Sequence, residues 1–424
     1  MEKLKIKNDS TSSPSQPSRE QSRDQISKMR NLLFNKYIIF YLLFFIFGFT
    51  AIAVRAQGEL ERKLETYLQV LDIVKNDYVE KNLDDQKLVY GSIRGLLDAL
   101  DDPYSRFMEP KAYKEMKIRM GGSYSGIGIY IGIKDRQLTV ISPIEGTPAK
   151  KQGLRAGDLI LKIDGKNTKD MALEEAVSLI RGPEGTRVKL SILRRGWKEL
   201  KDIEIFRAKI IIKSVASKNL NHNLAYIKLN TFENLTAAKE FEKVLREMKD
   251  TDGLILDVRG NGGGLLQNAI DIGSMFIRQG VIVQTVDREG KREQLESTGR
   301  VLWTKPVVML INESSASASE ILAGALRDNR IATLVGNHTF GKASVQNVRQ
   351  LNDGSAVLIT IAKYLTPDGE DINKRGISPE VEVLVPTKEA ETEPEMQVPE
   401  EEKDLQLQKA IEILKTKLQR EISG

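Results

Sequence analysis

The chain of 424 residues contains no cysteine and only two histidines, His222 and His338. The first absence excludes disulfides and thiolate nucleophiles, and together they remove the usual cysteine and histidine zinc sites, so no metal or cofactor is expected. A serine nucleophile in such a chain would need a base other than a histidine held by a carboxylate. Missing cysteine is compatible with an oxidising compartment without requiring one. An excess of one charge is also lacking. The 64 Lys and Arg residues against 59 Asp and Glu leave a formal net charge of +5, and the two signs are interleaved, which argues against a nucleic-acid partner. What is present, 40% hydrophobic and 29% charged residues, is enough for two or three globular cores and excludes a disordered or fibrous chain.

Only one long run lacks charge. Tyr37 to Val54 (YIIFYLLFFIFGFTAIAV) is about long enough to cross a bilayer core of roughly 30 Å as a helix. Lys28, Arg30 and Lys36 precede it, so the positive-inside tendency leaves the polar tail 1–36 in the cytoplasm and sends the remainder across. The run reads as a single-pass membrane anchor over 37–54. Ala51-Ile52-Ala53 also resembles a small-residue cleavage site, which makes export after signal cleavage the alternative. Beyond it, apolar residues at helical spacing predict a helical segment over 58–117, up to and past the loop Asp101-Asp102-Pro103-Tyr104. A glycine-punctuated β-rich module follows over 118–208, with one helical patch at Leu173–Ile180. From 209 to 385, apolar strands alternate with helices, the pattern of an α/β core. An acidic linker at 386–403 and a C-terminal helix at 404–424 complete the chain.

Two readings compete for Lys342. Gly336-Asn-His-Thr-Phe-Gly341-Lys342 nearly completes a phosphate loop, but the next residue is Ala343 and the following sequence is β-rich where a helix should cradle phosphate. The other reading joins Lys342 to the serine-rich segment Asn312–Glu320, which follows the strand Val307–Ile311 and opens a helix. Amides at such a helix start can stabilise an oxyanion. Without a His-Asp pair the base is a lysine, whose pKa must be lowered by apolar and small neighbours, here Phe340, Gly341 and Ala343.

These segments carry a resemblance. SASASEILAGAL at 315–326, FGKASVQ at 340–346, LDVRGNGGG at 256–264 and YLTPDGEDINKRGISPE at 364–380 resemble the C-terminal processing peptidases, or tail-specific serine proteases, over roughly residues 60 to 420. The resemblance implies an α/β core with a crotonase-like ββα arrangement and an inserted PDZ domain. It makes Ser317 the nucleophile, Lys342 the general base and Gln346 the residue that orients the lysine amine. Ala318 would give one oxyanion-hole amide and Gly262 or Gly263 the other. It implies extracytoplasmic protein substrates and a homodimer through the terminal helical segments.

The β-rich module resembles a PDZ domain of the circularly permuted bacterial type, on Tyr124–Ile129 and the run GLRAGDLILKIDG at 153–165. Amides around Gly126, Ile127 and Gly128 would receive a peptide carboxylate, and the strand after them would pair with an extended peptide. Ile127, Ile129, Val177 and Ile180 would line a groove preferring apolar C-termini. Arg181, at the end of the helix, is expected to contact the ligand carboxylate or the protease domain and so to gate activity. A scaffold that binds C-termini without cleaving them is the rival function.

Overall fold

The segments Gly253–Asp257 (GLILD) and Val307–Ile311 (VVMLI) are buried at every position, as expected for strands covered on both faces. They form the centre of a six-stranded sheet ordered Val215–Leu220, Leu224–Leu229, Gly253–Asp257, Val307–Ile311, Ala332–Gly336, Val381–Glu382. The first pair is an antiparallel hairpin and all later neighbours are parallel. The structure, a computed structural model, describes residues 59–134, 136–384 and 403–423. The expected tail, membrane anchor and acidic linker up to residue 402 lie outside the described residues.

The alternation of side chains along the strands divides the core. Leu254, Leu256, Val307, Met309 and Ile311 pack with Phe241, Leu245, Ile272, Leu322 and Leu326 from the helices Ala237–Glu247, Leu266–Ser274 and Ala318–Asp328. On the other face, Tyr226, Ile255, Val308 and Leu310 pack against Leu407, Ala410 and Leu414 of the C-terminal helix Leu405–Ser423. That helix therefore supplies the second cover a parallel sheet requires.

A second sheet joins Arg106–Met108, Ala356–Leu365, Val281–Asp287 and Arg292–Glu296, with Ser344–Gln350 also paired to Ala356–Leu365. The strand Arg106–Met108 corrects the expectation of continuous helix through this region. Phe107 packs on Tyr90 with ring centroids 4.8 Å apart, and both join Leu97, Val357 and Ile359 in a small apolar cluster. Long-range packing thus decides a segment whose local pattern is ambiguous. The helix Pro110–Met120 begins with proline in its first turn, where the missing N–H costs nothing.

The β-rich module is a sheet ordered Ile129–Lys134, Gln137–Pro143, Leu159–Ile163, Arg187–Leu193, Lys201–Phe206, closed by the helix Leu173–Ile180 over its own apolar core. Its chain enters and leaves through a two-stranded ribbon, Ser123–Gly126 with Ala208–Ile211. The GLRAGD sequence is explained by Asp158, fully buried, which receives the Arg155 amide at 2.8 Å and a two-pronged ion pair from Arg194 at 2.6 and 2.8 Å.

The described residues up to Leu88 form a separate unit from those that begin at Val89. Within it, the helix 59–77 leaves Leu60, Leu64, Leu68, Val70 and Ile73 more than half exposed.

Candidate active site

Between the strand Val307–Ile311 and the helix Ala318–Asp328, Ser317 adopts φ 56°, ψ −114°. That conformation is sparsely populated for an L residue and costs about 1–3 kcal/mol, so surrounding bonds must enforce it. The flanking serines provide some of them: Ser315 Oγ donates to Val258 O at 2.9 Å and Ser319 Oγ to Asn261 O at 2.8 Å. Both acceptors lie in or beside the glycine loop after Gly253–Asp257. Gly263, at φ 93°, lies so close that an added Cβ would meet Ala316 O at 2.5 Å and Ser317 Cβ at 2.9 Å. Only glycine fits there.

The strongest restraint is Glu320. Its fully buried carboxylate accepts four bonds: from the Ser317 amide at 2.8 Å, the Lys342 amide at 2.9 Å, the Gly341 amide at 2.7 Å and Thr339 Oγ1 at 2.6 Å. One charge thereby fixes the backbones of both candidate catalytic residues, with the charge-assisted strength such bonds have. Tyr364, 1% exposed, adds a second clamp, its phenol donating to Ser317 O at 3.1 Å and to Lys342 O. The FGK turn in turn packs against the turn before Ile377. Lys374 N–H donates to Gly341 O at 2.8 Å, and a Cβ on Gly376 would lie 2.2 Å from Thr339 O.

The Lys342 amine lies 4.6 Å from the centre of the Tyr104 ring. Burial pushes its pKa below the ordinary lysine value and the Arg106 charge pushes the same way, against Asp102 and Glu320. Phe340, expected to help desolvate the amine, is 56% exposed; Tyr104 is the aromatic ring against it. Tyr104 is held by the turn before it, where Asp102 accepts the Tyr104 amide at 3.1 Å and Ser105 Oγ at 2.6 Å. Ser105 Oγ then accepts the Thr360 amide at 3.0 Å, fastening that turn to the second sheet.

Gln346 differs from expectation. Its amide nitrogen donates to Ser344 Oγ on its own strand at 2.7 Å and to Thr360 Oγ1 on the neighbouring strand at 3.4 Å. Among the described residues neither Gln346 nor Ser317 Oγ bonds the Lys342 amine. Ala318 N–H meets no acceptor among them either, as an oxyanion donor requires. The Gly263 amide is engaged by Asn261 Oδ1 at 2.9 Å, whereas Gly262 has open space beside its Cα.

Arg259, beside the glycine loop, has a structural task. It bonds Asp257 at 2.6 to 3.1 Å and Asp404 at 2.7 and 2.9 Å, while Tyr226 donates to Asp257 at 2.6 Å. Burial alone would raise the Asp257 carboxyl, but Arg259 more than offsets it and holds the pKa below the ordinary value. The start of the C-terminal helix is thereby locked to the loop that supports Ser317.

Three family models match the sequence. Residues 223–383 match the profile of peptidase family S41, residues 139–194 that of a PDZ domain and residues 51–112 that of the activating protease CtpB N-terminal domain. The carboxy-terminal processing protease CtpA of Bacillus subtilis is 40% identical over 329 residues, covering 77% of this chain and 70% of that one. The chain belongs to the C-terminal processing peptidases, serine-type peptidases of family S41 with a PDZ domain. The carboxyl-terminal-processing protease of Synechocystis is 38% identical over 322 residues, 74% of this chain and 75% of that one. A solved S41 protease from Bacteroides fragilis shares the fold alone, with TM-score 0.52 at 14% identity over 81% of this chain and 96% of that one.

In this peptidase the PDZ strand Ile129–Lys134 is an edge strand, hydrogen-bonded only to Gln137–Pro143. Its other edge pairs with no strand among the described residues. The amides of Ile127 and Gly128 bond no acceptor among the described residues, while their carbonyls accept from Ala149 and Ile144 at 2.9 and 3.0 Å. Gly126 belongs to the entry ribbon. Ile127 and Ile180 are buried in the module's core, 0% and 5% exposed, and can form only the floor of a groove; Ile129 and Val177 are half-buried. Arg181 stacks over Tyr124 at 4.6 Å and pairs with Glu115 on the helix Pro110–Met120. Tyr104 and Tyr364 were not read as site residues from sequence, and Glu320 was expected only in a secondary role at the helix start, where the S-x-x-E spacing from Ser317 is a capping-box signal.

Proposed function

We propose that this protein is an endopeptidase that uses Ser317 and Lys342 to cleave extracytoplasmic proteins recruited through their apolar C-termini by the PDZ domain. The observation carrying this reading is the shared Glu320 carboxylate, which binds the amides of Ser317 and Lys342 at 2.8 and 2.9 Å. Lys342, whose pKa burial lowers, takes the Ser317 proton in its neutral form as Oγ attacks the scissile carbonyl. The Ala318 amide and the Gly262–Gly263 segment stabilise the oxyanion, the amine proton passes to the leaving nitrogen, and water then hydrolyses the acyl-enzyme. For the orienting role, Gln346 exchanges its bond to Ser344 for one to the lysine amine.

Recruitment rests on the free edge of Ile129–Lys134 and the unbonded amides of Ile127 and Gly128. Arg181 fits a gating role because its partner Glu115 lies on the helix leading from the protease body into the module. The succession Val215–Leu220, Leu224–Leu229, Ala237–Glu247 supports the crotonase-like ββα reading. Membrane anchoring through 37–54 and a homodimer, for which the exposed apolar face of helix 59–77 is suited, complete the proposal.

The test compares the wild type with Ser317→Ala and Lys342→Ala on an unfolded protein with an apolar C-terminus, with products read by mass spectrometry. Each variant is expected to lose about 10⁴-fold or more in rate. Binding of C-terminal peptide without cleavage by any of the three would favour the scaffold reading.

A further inference from the structure

At the end of the central sheet opposite Ser317, a cleft of about 680 Å³ is lined by five cationic side chains, Arg278, Lys305, Arg330, Lys417 and Arg420, and by no carboxylate. Its location follows from the topology. Ser317 lies after the C-terminal end of Val307–Ile311, whereas the lining residues Pro306 and Ile331 precede the strands Val307–Ile311 and Ala332–Gly336. Lys417 and Arg420 come from the final turns of the C-terminal helix.

Cations often collect at helix C-termini to complement the helix dipole, and three helices, Leu266–Ser274, Ala318–Asp328 and Leu405–Ser423, end near this cleft. Three such ends offer only about −1.5 charges in total, short even of the three arginines, Arg278, Arg330 and Arg420, that line the cleft. The nearby acid Asp328 is already paired with Arg327 at 2.7 Å. Among the described residues, Arg278, Arg330 and Arg420 form no ion pair. Lys305 is fixed by the carbonyls of Lys249 and Thr251, so its charge is oriented without being neutralised.

Two further features point to a ligand. Trp303, a lining residue 4% exposed, has a buried indole N–H with no acceptor, a group expected to find a partner when buried. Arg330 occupies the left-handed region, φ 60°, at the position after the helix where glycine is the default. The chain thus keeps an arginine where the backbone favours a residue without a side chain.

We propose that this cleft binds clustered phosphate groups, presented by anionic lipid headgroups or by a soluble polyphosphate. Guanidinium groups suit phosphate because their N–H pairs match two phosphate oxygens at once, and three unpaired ones around a single cleft call for several anionic charges. The volume lies in the range of small-molecule sites, and Phe276, Trp303 and Ile331 provide apolar wall for the carrier of the phosphates.

The experiment measures tripolyphosphate binding to the full chain by calorimetry, and its cosedimentation with phosphatidylglycerol or phosphatidylcholine vesicles. Tripolyphosphate is expected to bind saturably, more weakly at high salt. The triple variant Arg278→Ala, Arg330→Ala, Arg420→Ala should weaken it at least tenfold, and Lys239→Ala, Arg288→Ala, Lys291→Ala, which removes equal charge elsewhere, should leave it unchanged. Arg330→Gly should raise the thermal midpoint while weakening binding, separating loss of the site from loss of fold. Preference for phosphatidylglycerol that disappears in the arginine variant assigns the phosphates to lipid; tripolyphosphate binding without it assigns them to a soluble source. Absence of both, or equal weakening by the control variant, overturns the proposal.

Discussion

The Ser317 turn and the PDZ edge both leave backbone amides without acceptors among the described residues, but they do so by different means. Around Ser317 the free Ala318 amide exists because the turn is strained, and the strain is enforced from three directions by Glu320, Tyr364 and the glycine loop. At Ile127 and Gly128 no strain is stored. The amides are free because the sheet ends there, and the carbonyls are tied back by Ile144 and Ala149. Chemistry needs donors fixed before substrate arrives, while strand addition needs an unpaired edge. The two regions therefore respond differently to substitution.

Glu320→Gln tests this contrast most severely. An amide keeps the shape but loses the charge, so the bonds to the Ser317, Gly341 and Lys342 amides weaken. A rate loss of about 10²- to 10³-fold is expected, comparable to removal of an oxyanion donor, with affinity for a C-terminal peptide unchanged. Equal loss of both would show that the two regions are not independent. In the opposite sense, Asp158→Ala leaves the partly buried Arg194 uncompensated and should destabilise the PDZ module by about 3 kcal/mol. Calorimetry should show one transition shifted, with basal cleavage retained. The smallest effect is expected for Arg181→Ala, which breaks the contact with Glu115: basal cleavage within about twofold, and stimulation by PDZ peptide changed several-fold, on the order of 1 kcal/mol of coupling. Unchanged stimulation would remove Arg181 from the account.

What could be read in advance follows the same division. Val307–Ile311 and Leu173–Ile180 were legible to the residue, because their apolar patterns are continuous or helically spaced and bounded by turns. The strand Arg106–Met108 was not, since three residues hold no period and their pairing partner lies at Ala356–Leu358. The short helix Pro148–Lys151 escaped for the same lack of length. At the site, the motifs indicated Ser317 and Lys342, and of the parts that hold them Glu320 lies within the serine motif while two aromatic rings come from distant sequence. Tyr104 reaches Lys342 from the turn after Asp102, and Tyr364 from the second sheet. Gln346 was assigned by the family resemblance, which could not reveal its competing hydroxyls, Ser344 and Thr360.

The central claim is that Ser317 is activated by a lysine whose pKa lies below the ordinary value. It is tested most directly by labelling with a fluorophosphonate, following the modified residue and its rate by mass spectrometry as pH is raised. Only the neutral amine accepts a proton, so the rate should rise with pH and level off below the ordinary lysine pKa of about 10.4. The adduct should map to Ser317, and Lys342→Ala should abolish the reaction. Labelling at another residue, or at Ser317 with an unchanged rate in Lys342→Ala, would contradict the account.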